Sequence, residues 1–169
     1  MPNTPIVRIC SAQISSIWEE PEKTLEKAGM FIRHAAASDA ALICFPEQFA
    51  TGWDPQPRKN IQDIHGSIVS ALQAYAKEYG IGILGSFRQA NDPLPKNTAV
   101  VIGNDGRSLT TYAKMHLFSY GHEDKGSAPG TPPRWTPPTA GRAAGPAPWT
   151  RRAWEGAAPA HLASSPVGG

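Results

Sequence analysis

The chain of 169 residues is long enough for one domain, and 40% hydrophobic and 18% charged residues are compatible with a globular protein. A net charge of +2, from 16 basic and 14 acidic residues, is too balanced for a protein that binds nucleic acid by electrostatics. The sequence has neither an apolar stretch long enough to span a membrane nor a secretory signal pattern at its start, so we expect a cytoplasmic protein.

Residues 1–125 alternate between patterns typical of strands and helices. Residues 6–14 alternate apolar and polar side chains, which predicts a half-buried strand. One helix is predicted to begin at Pro21, because proline suits a first helical turn, and a second to end at Gly80, a typical C-cap. Short apolar runs predict strands at residues 41–45, 81–87, 98–102 and 108–114. The order β-α-β-loop-α-β-β-β predicts an α/β fold with helices against a mixed sheet. The apolar stripe of the second helix is Ile64, Ile68, Leu72, Tyr75 and Tyr79.

Composition changes abruptly after Lys125. Residues 1–125 contain 17 prolines and glycines, whereas the 44 residues of 126–169 contain 16. Leu162 and Val167 are the only aliphatic residues larger than alanine in that second segment. Such a segment buries too little apolar surface to offset the entropy lost on ordering, so we predict a disordered tail over 126–169.

Glu47 is the first candidate for chemistry. It follows the predicted buried strand at residues 41–45 and stands between Phe45 and Phe49. A carboxylate that is partly desolvated in this way has a raised pKa and is suited to proton transfer. The alternative is an acid on a solvated loop.

Lys114 is the second candidate, at the end of an apolar strand. An ammonium group in a dry site stabilises a developing oxyanion. The alternative is a lysine whose stem packs on apolar surface while its ammonium reaches solvent at the strand end.

A polar cluster near Lys114 and two cysteines complete the candidates. His116, His122, Glu123 and Asp124 follow no standard spacing of metal ligands, so we expect no metal site. The alternative is a metal-dependent hydrolase that uses the two histidines and Glu123. Two cysteines, at positions 10 and 44, do not make a disulfide framework, and we expect both to be buried small side chains.

Several short motifs in order resemble the nitrilase superfamily of carbon–nitrogen hydrolases. They are VRICSAQI in the first strand, ALICFPEQFATGW around Glu47, GSF after the second helix, NTAVVIGNDG in the hairpin and YAKMHLFSYGHEDK around Lys114. The resemblance covers about residues 6–125. FPEQFATGWDP and KMHLF look most like the omega-amidase-like and other small-amidase branches.

The resemblance implies a fold, a chemistry and roles for three residues. The family fold is a four-layer α-β-β-α sandwich, commonly assembled into homo-oligomers, and residues 1–125 match its first half. Glu47 matches the general base, Lys114 the lysine that stabilises the tetrahedral intermediate, and Glu123 the second glutamate that orients the site. A family cysteine attacks a small linear amide or nitrile to form a thioester, which water hydrolyses. The resemblance implies no metal or organic cofactor.

This sequence departs from the family at the nucleophile. The family cysteine lies some tens of residues beyond the position of Lys114, but no cysteine follows Cys44 here. Cys44 is a poor substitute, because it lies three residues before Glu47 and strand neighbours point to opposite faces. We therefore expect a chain without hydrolytic activity. The alternative is a non-catalytic half-domain that binds or regulates a homologous hydrolase.

The codons of residues 126–169 suggest an origin for the tail. Its commonest residues have GC-rich codons. The family continues Glu-Asp-Lys-x-Phe-x-Pro-Gly-Asp, and a reading frame displaced by one base just after Lys125 is compatible with that motif. We therefore predict that residues 126–169 are a frameshifted reading of a hydrolase gene.

Overall fold

The structure is a computed structural model that describes residues 7–131. These residues form an α/β unit with eight regular elements and two short 3-10 turns. The helices are α1 (Pro21–Ala37) and α2 (Ser67–Tyr79). The strands are β1 (Ile9–Ser11), β2 (Leu42–Cys44), β3 (Ile61–Gln62), β4 (Gly82–Gln89), β5 (Lys96–Ile102) and β6 (Ser108–Ala113). The 3-10 turns Ser119–Gly121 and Glu123–Lys125 follow β6. No helix among residues 7–131 is long and apolar enough to cross a membrane.

All six strands belong to one mixed sheet, and the sequence predicts five of them and the mixed character of the sheet. β1, β2 and β4 lie side by side and parallel, and β5 and β6 continue beyond β4 as an antiparallel meander. β3 pairs in parallel with Arg88 and Gln89, past the point at which β2 has ended. The sequence did not indicate β3, because two residues are too few to show a periodicity.

α1 begins and α2 ends where the sequence indicates. Pro21 occupies the first turn of α1, where its missing N–H has no intrahelical acceptor to lose. Gly80 ends α2 in the left-handed conformation at φ +63°, and its N–H donates to the carbonyl of Ala76. Ile64 lies before α2 rather than within it, so the predicted helix was one turn too long at its start.

The hydrophobic core lies between the two helices and one face of the sheet. Strand residues Ile43, Ile83 and Ile102 are almost fully buried, and so are Ile32 from α1 and Leu72 from α2. Burial of each such side chain stabilises the fold by about 2 kcal/mol. The periodic apolar positions therefore account for how the helices are held on this face.

The opposite face of the sheet is only partly covered. The register places Ile9 beside Leu42, Leu84 beside Val101 and Ala99 beside Tyr112, all pointing away from the helices. Ile9 is 59% exposed and Tyr112 is 43% exposed. Residues 7–131 thus form one helical layer and one sheet layer.

The first six residues of the predicted tail pack on the sheet. Ser127 is buried, the N–H of Ala128 donates to the carbonyl of Pro95 at 2.8 Å, and the N–H of Gly130 donates to the carbonyl of Lys114 at 2.9 Å. Backbone hydrogen bonds order this stretch without large apolar side chains. The prediction of disorder for 132–169 lies outside the described residues.

Candidate active site

Glu47 lies on the loop that leaves the carboxyl end of β2. The N–H of Phe45 donates to the carbonyl of Leu84, and the N–H of Gln48 donates to the hydroxyl of Ser86 at 2.6 Å. Gln48 adopts the left-handed region at φ +48°, which turns the chain sharply after Glu47. The Glu47 side chain is 46% exposed and borders a cavity.

Lys114 directly follows β6 and is held through its backbone on two sides. Its N–H donates to the carbonyl of Asn97 at 2.8 Å, and its carbonyl accepts from Gly130. Its Nζ lies 2.8 Å from Oε1 of Glu47 and 2.9 Å from Oε2 of Glu123. The ammonium group therefore bridges the two carboxylates that the sequence singled out.

Glu123 begins the second 3-10 turn and is completely buried. Its Oε1 accepts from Nδ2 of Asn97 at 3.0 Å, and its Oε2 accepts from the N–H of Phe118 at 2.8 Å. A buried carboxylate of this kind requires such partners, because an unpaired one is strongly penalised.

The hydrogen bonds decide the protonation of this cluster. Burial favours the neutral carboxyl of Glu123, but hydrogen bonds from Asn97 and Phe118 and the neighbouring Lys114 hold its pKa below the usual value. Burial likewise disfavours the ammonium of Lys114, but its bonds to Glu47 and Glu123 outweigh that effect and raise its pKa. At neutral pH the site therefore contains an ionised Glu123 and a protonated Lys114.

Asn97 is a member of the site that the sequence reasoning missed. It is buried at the start of β5, and its Nδ2 donates to both Glu47 and Glu123. It lies within the motif NTAVVIGNDG, whose pattern predicts a hairpin. An amide side chain near the start of an otherwise apolar strand was the signal available in the sequence, and its proximity to the two carboxylates arises only in the fold.

An open cavity of about 510 Å³ lies over Glu47 and Lys114. Trp53 and Phe118 form part of its wall, with ring centroids 6.1 Å apart and the ring planes tilted by 58°, and His116 and Leu117 complete the lining. The cavity thus presents a partly exposed carboxylate, a cation and two aromatic surfaces to a small ligand.

Apart from His116, the remaining candidates do not line this cavity. Within residues 7–131 there is no group of three His, Cys, Asp or Glu side chains arranged to hold a metal. Cys10 and Cys44 are half-buried free thiols, and neither lines the cavity. Burial raises the pKa of Cys44 and so disfavours its thiolate. His122 and Asp124 are exposed on the turn beside Glu123.

The sequence is similar to known carbon–nitrogen hydrolases. The family model described as carbon-nitrogen hydrolase matches residues 8–161. A nitrilase of Pyrococcus abyssi is 29% identical over 118 residues, which are 67% of this chain and 45% of the nitrilase. An omega-amidase of Homo sapiens is 33% identical over 108 residues, which are 63% of this chain and 38% of the omega-amidase. The chain thus spans less than half the length of these relatives.

Solved structures show the same fold. An amidase from Nesterenkonia sp. superposes with a TM-score of 0.64 at 25% identity, over 75% of this chain and 49% of the amidase. A CN-hydrolase superfamily protein of Xanthomonas campestris superposes with a TM-score of 0.68 at 26% identity, over 75% of this chain and 47% of that protein. These likenesses confirm the predicted nitrilase-like fold. Because the family model covers most of its length, this chain belongs to the carbon–nitrogen hydrolase family.

Proposed function

We propose that Glu47, Lys114 and Glu123 form the acid–base part of a hydrolase site for a small linear amide or nitrile. The bridging position of Lys114 between the two carboxylates carries this proposal. Glu47, exposed to the cavity, is the general base. Lys114 stabilises the negative charge of the tetrahedral intermediate, and Glu123 holds the ammonium group in place.

The described part of the site lacks the group that would form the covalent bond. A family cysteine attacks the carbon of the amide or nitrile, ammonia or an amine leaves, and water then cleaves the thioester. No cysteine among residues 7–131 lines the cavity. We therefore propose that the 169-residue chain binds small amides without hydrolysing them.

Binding and hydrolysis are tested together with a short aliphatic amide. Titration of the full chain is expected to shift the NMR signals of the Lys114 side chain, while ammonia release stays at background. Lys114→Met should abolish the binding shifts of neighbouring residues. Lys125→Met, which removes an exposed lysine nearby, should leave them unchanged.

Two results would contradict these assignments. Equal amide binding by Lys114→Met and the parent chain would show that the lysine has no part in the site. Ammonia release that disappears in Glu47→Ala would show that the chain is catalytic as it stands, with a nucleophile other than the expected cysteine.

A second function is favoured by the partly exposed sheet face that includes Ile9 and Tyr112. In this alternative the chain is a non-catalytic half-domain that binds or regulates a homologous hydrolase through that face. Co-expression with a full-length homologue, followed by purification on a tag carried by this chain, tests it. Ile9→Lys should reduce the yield of complex, and absence of any complex would exclude this function.

The origin of residues 126–169 remains a separate proposal of a displaced reading frame. Pro129 and Gly130 already stand in this chain at the Pro-Gly positions of the family motif, and Gly130 is ordered against Lys114. The Pro-Gly pair therefore does not distinguish the two frames. Resequencing from the Lys114 codon to beyond the stop codon tests this proposal. One additional base and a downstream cysteine codon would support the displaced frame, and a coding sequence whose displaced frame does not encode Phe-x-Pro-Gly-Asp would refute it.

A further inference from the structure

Arg88 is a fully buried charge that lies outside the cavity. It stands near the end of β4, 1% exposed, beside Asn97 of β5 in the sheet register. Its NH1 lies 2.6 Å from Oε1 of Glu19, which supplies the opposite charge. The same nitrogen donates to the carbonyl of Lys59 at 3.0 Å. Such an arginine is tolerated in a core only when its charge is paired and its donors are used.

The other two acceptors of Arg88 flank residues of the cavity wall. Its Nε donates at 2.9 Å to Oε1 of Gln48, the residue after Glu47. Its NH2 donates at 2.9 Å to the carbonyl of Gly52, the residue before Trp53. One rigid guanidinium thus fixes two points of the loop, each a single residue away from a group that borders the cavity.

The backbone next to Glu47 needs such support. Gln48 has φ +48°, a conformation that costs energy for a residue with a side chain. Its N–H is held by Ser86, and its side-chain oxygen is held by Arg88. Without the arginine, the Gln48 side chain would lose its bond to the sheet, and the turn that aims Glu47 at Lys114 would relax.

We propose that Arg88 is a positioning residue, which holds the Glu47 loop so that the Glu47 carboxylate meets the Lys114 ammonium and Trp53 forms the cavity wall. The inference rests on the proposed site, but its test measures the contact between Glu47 and Lys114 and not hydrolysis. If the chain does not hydrolyse amides, the proposed role of Arg88 is unaffected. If the Arg88 variants leave the Glu47–Lys114 contact intact, the role of Arg88 is refuted whether or not a nucleophile is present.

A double-mutant cycle on the full chain tests the inference. The side-chain NMR signals of Lys114 report its pKa, which Glu47 and Glu123 both raise. Glu47→Gln should lower that pKa, and Arg88→Met should lower it to a similar extent. The double variant should lower it no further than Glu47→Gln alone, because both changes remove the same contact. Additive effects, or an unchanged pKa in Arg88→Met, would overturn the proposal.

Two further variants separate positioning from general stability. Arg88→Lys keeps a cation beside Glu19 but does not bridge Gln48 and Gly52 at once, so it should fold and still lower the Lys114 pKa. Arg107→Met removes an exposed arginine and should change nothing. The Phe118 amide signal, which reports Glu123, should stay in place in Arg88→Lys. Loss of cooperative unfolding in Arg88→Lys, or a parental Lys114 pKa in it, would overturn the proposal.

Discussion

Glu123 and Asn97 are both buried, and each satisfies a hydrogen-bonding group of the other. The carboxylate of Glu123 is removed from solvent, and the amide of Asn97 supplies one of the hydrogen bonds that keep it ionised. Asn97 also reaches Glu47 with the same nitrogen. One uncharged residue therefore holds two like charges near each other, with Lys114 as the cation between them.

The lowered pKa of Glu123 predicts a loss of stability in acid. A carboxylate whose pKa is lower in the folded state stabilises the fold above its usual value of 4.5 and loses that contribution as the pH falls below it. Glu123→Gln should lower the free energy of unfolding by about 2 kcal/mol at pH 7 and by less in acid. Urea unfolding at pH 7 and pH 4 measures this, with the exposed Glu22→Gln as control. Equal losses at both pH values would contradict it.

Replacement of Asn97 by aspartate should reverse that pH dependence. Asn97→Asp puts a third carboxylate within hydrogen-bond distance of Glu47 and Glu123, where like charges raise the pKa of the new group. The variant should therefore be least stable at neutral pH and recover as the new carboxyl is protonated. Thermal unfolding between pH 4 and pH 8 measures this. A variant that loses stability in parallel with the parent on acidification would show that Asn97 does not couple the carboxylates.

The site residues lie close together because the ends of three strands meet at one edge of the sheet. β2 ends shortly before Glu47, β6 ends directly before Lys114, and Asn97 is the second residue of β5. The helices, their caps and five of the sheet strands follow from apolar spacing and turn residues, which act locally. β3 and the ordered stretch 126–131 do not, because β3 is only two residues long and 126–131 is fixed by backbone contacts with distant segments.

The stretch after Lys125 gives a prediction at this scale. A Cβ at Gly130 would clash with the carbonyl oxygen of Ala113, so the backbone would have to move. Gly130→Ala should therefore destabilise the unit by about 2 kcal/mol and weaken the hydrogen bond to Lys114. Chemical unfolding and amide exchange at Gly130 measure both effects. Thr131→Ala, at an exposed neighbour, should be neutral, and a neutral Gly130→Ala would show that the stretch is unattached.

Residues 7–131 combine a well-packed helical face with a sheet face that retains exposed apolar side chains. The face with α1 and α2 buries a continuous core, whereas Ile9 and Tyr112 on the other face are substantially exposed. Exposed apolar surface of this kind favours association and aggregation. The chain also spans less than half of the length of the nitrilase and omega-amidase to which it is similar.

The exposed sheet face predicts self-association. Ile9→Lys introduces a charge at a position that is 59% exposed, so it should shift the chain toward a monomer in sedimentation velocity experiments and raise its solubility. Met30→Lys, at a 51% exposed position on α1, is the matched control and should have little effect. A monodisperse parent chain that is unchanged by Ile9→Lys would refute the prediction.

Local sequence patterns were enough to predict the α/β class, the start of α1 and the end of α2, because propensity, capping and burial depend on neighbours in the chain. The contact among Glu47, Lys114 and Glu123, separated by 67 and by 9 positions, appears only when the strands align. Asn97 and Arg88 depend on that alignment still more, since a buried amide and a buried guanidinium acquire their roles from acceptors that distant loops provide. Only the tertiary structure determined which polar side chains are buried from solvent and therefore require hydrogen-bond partners within the protein.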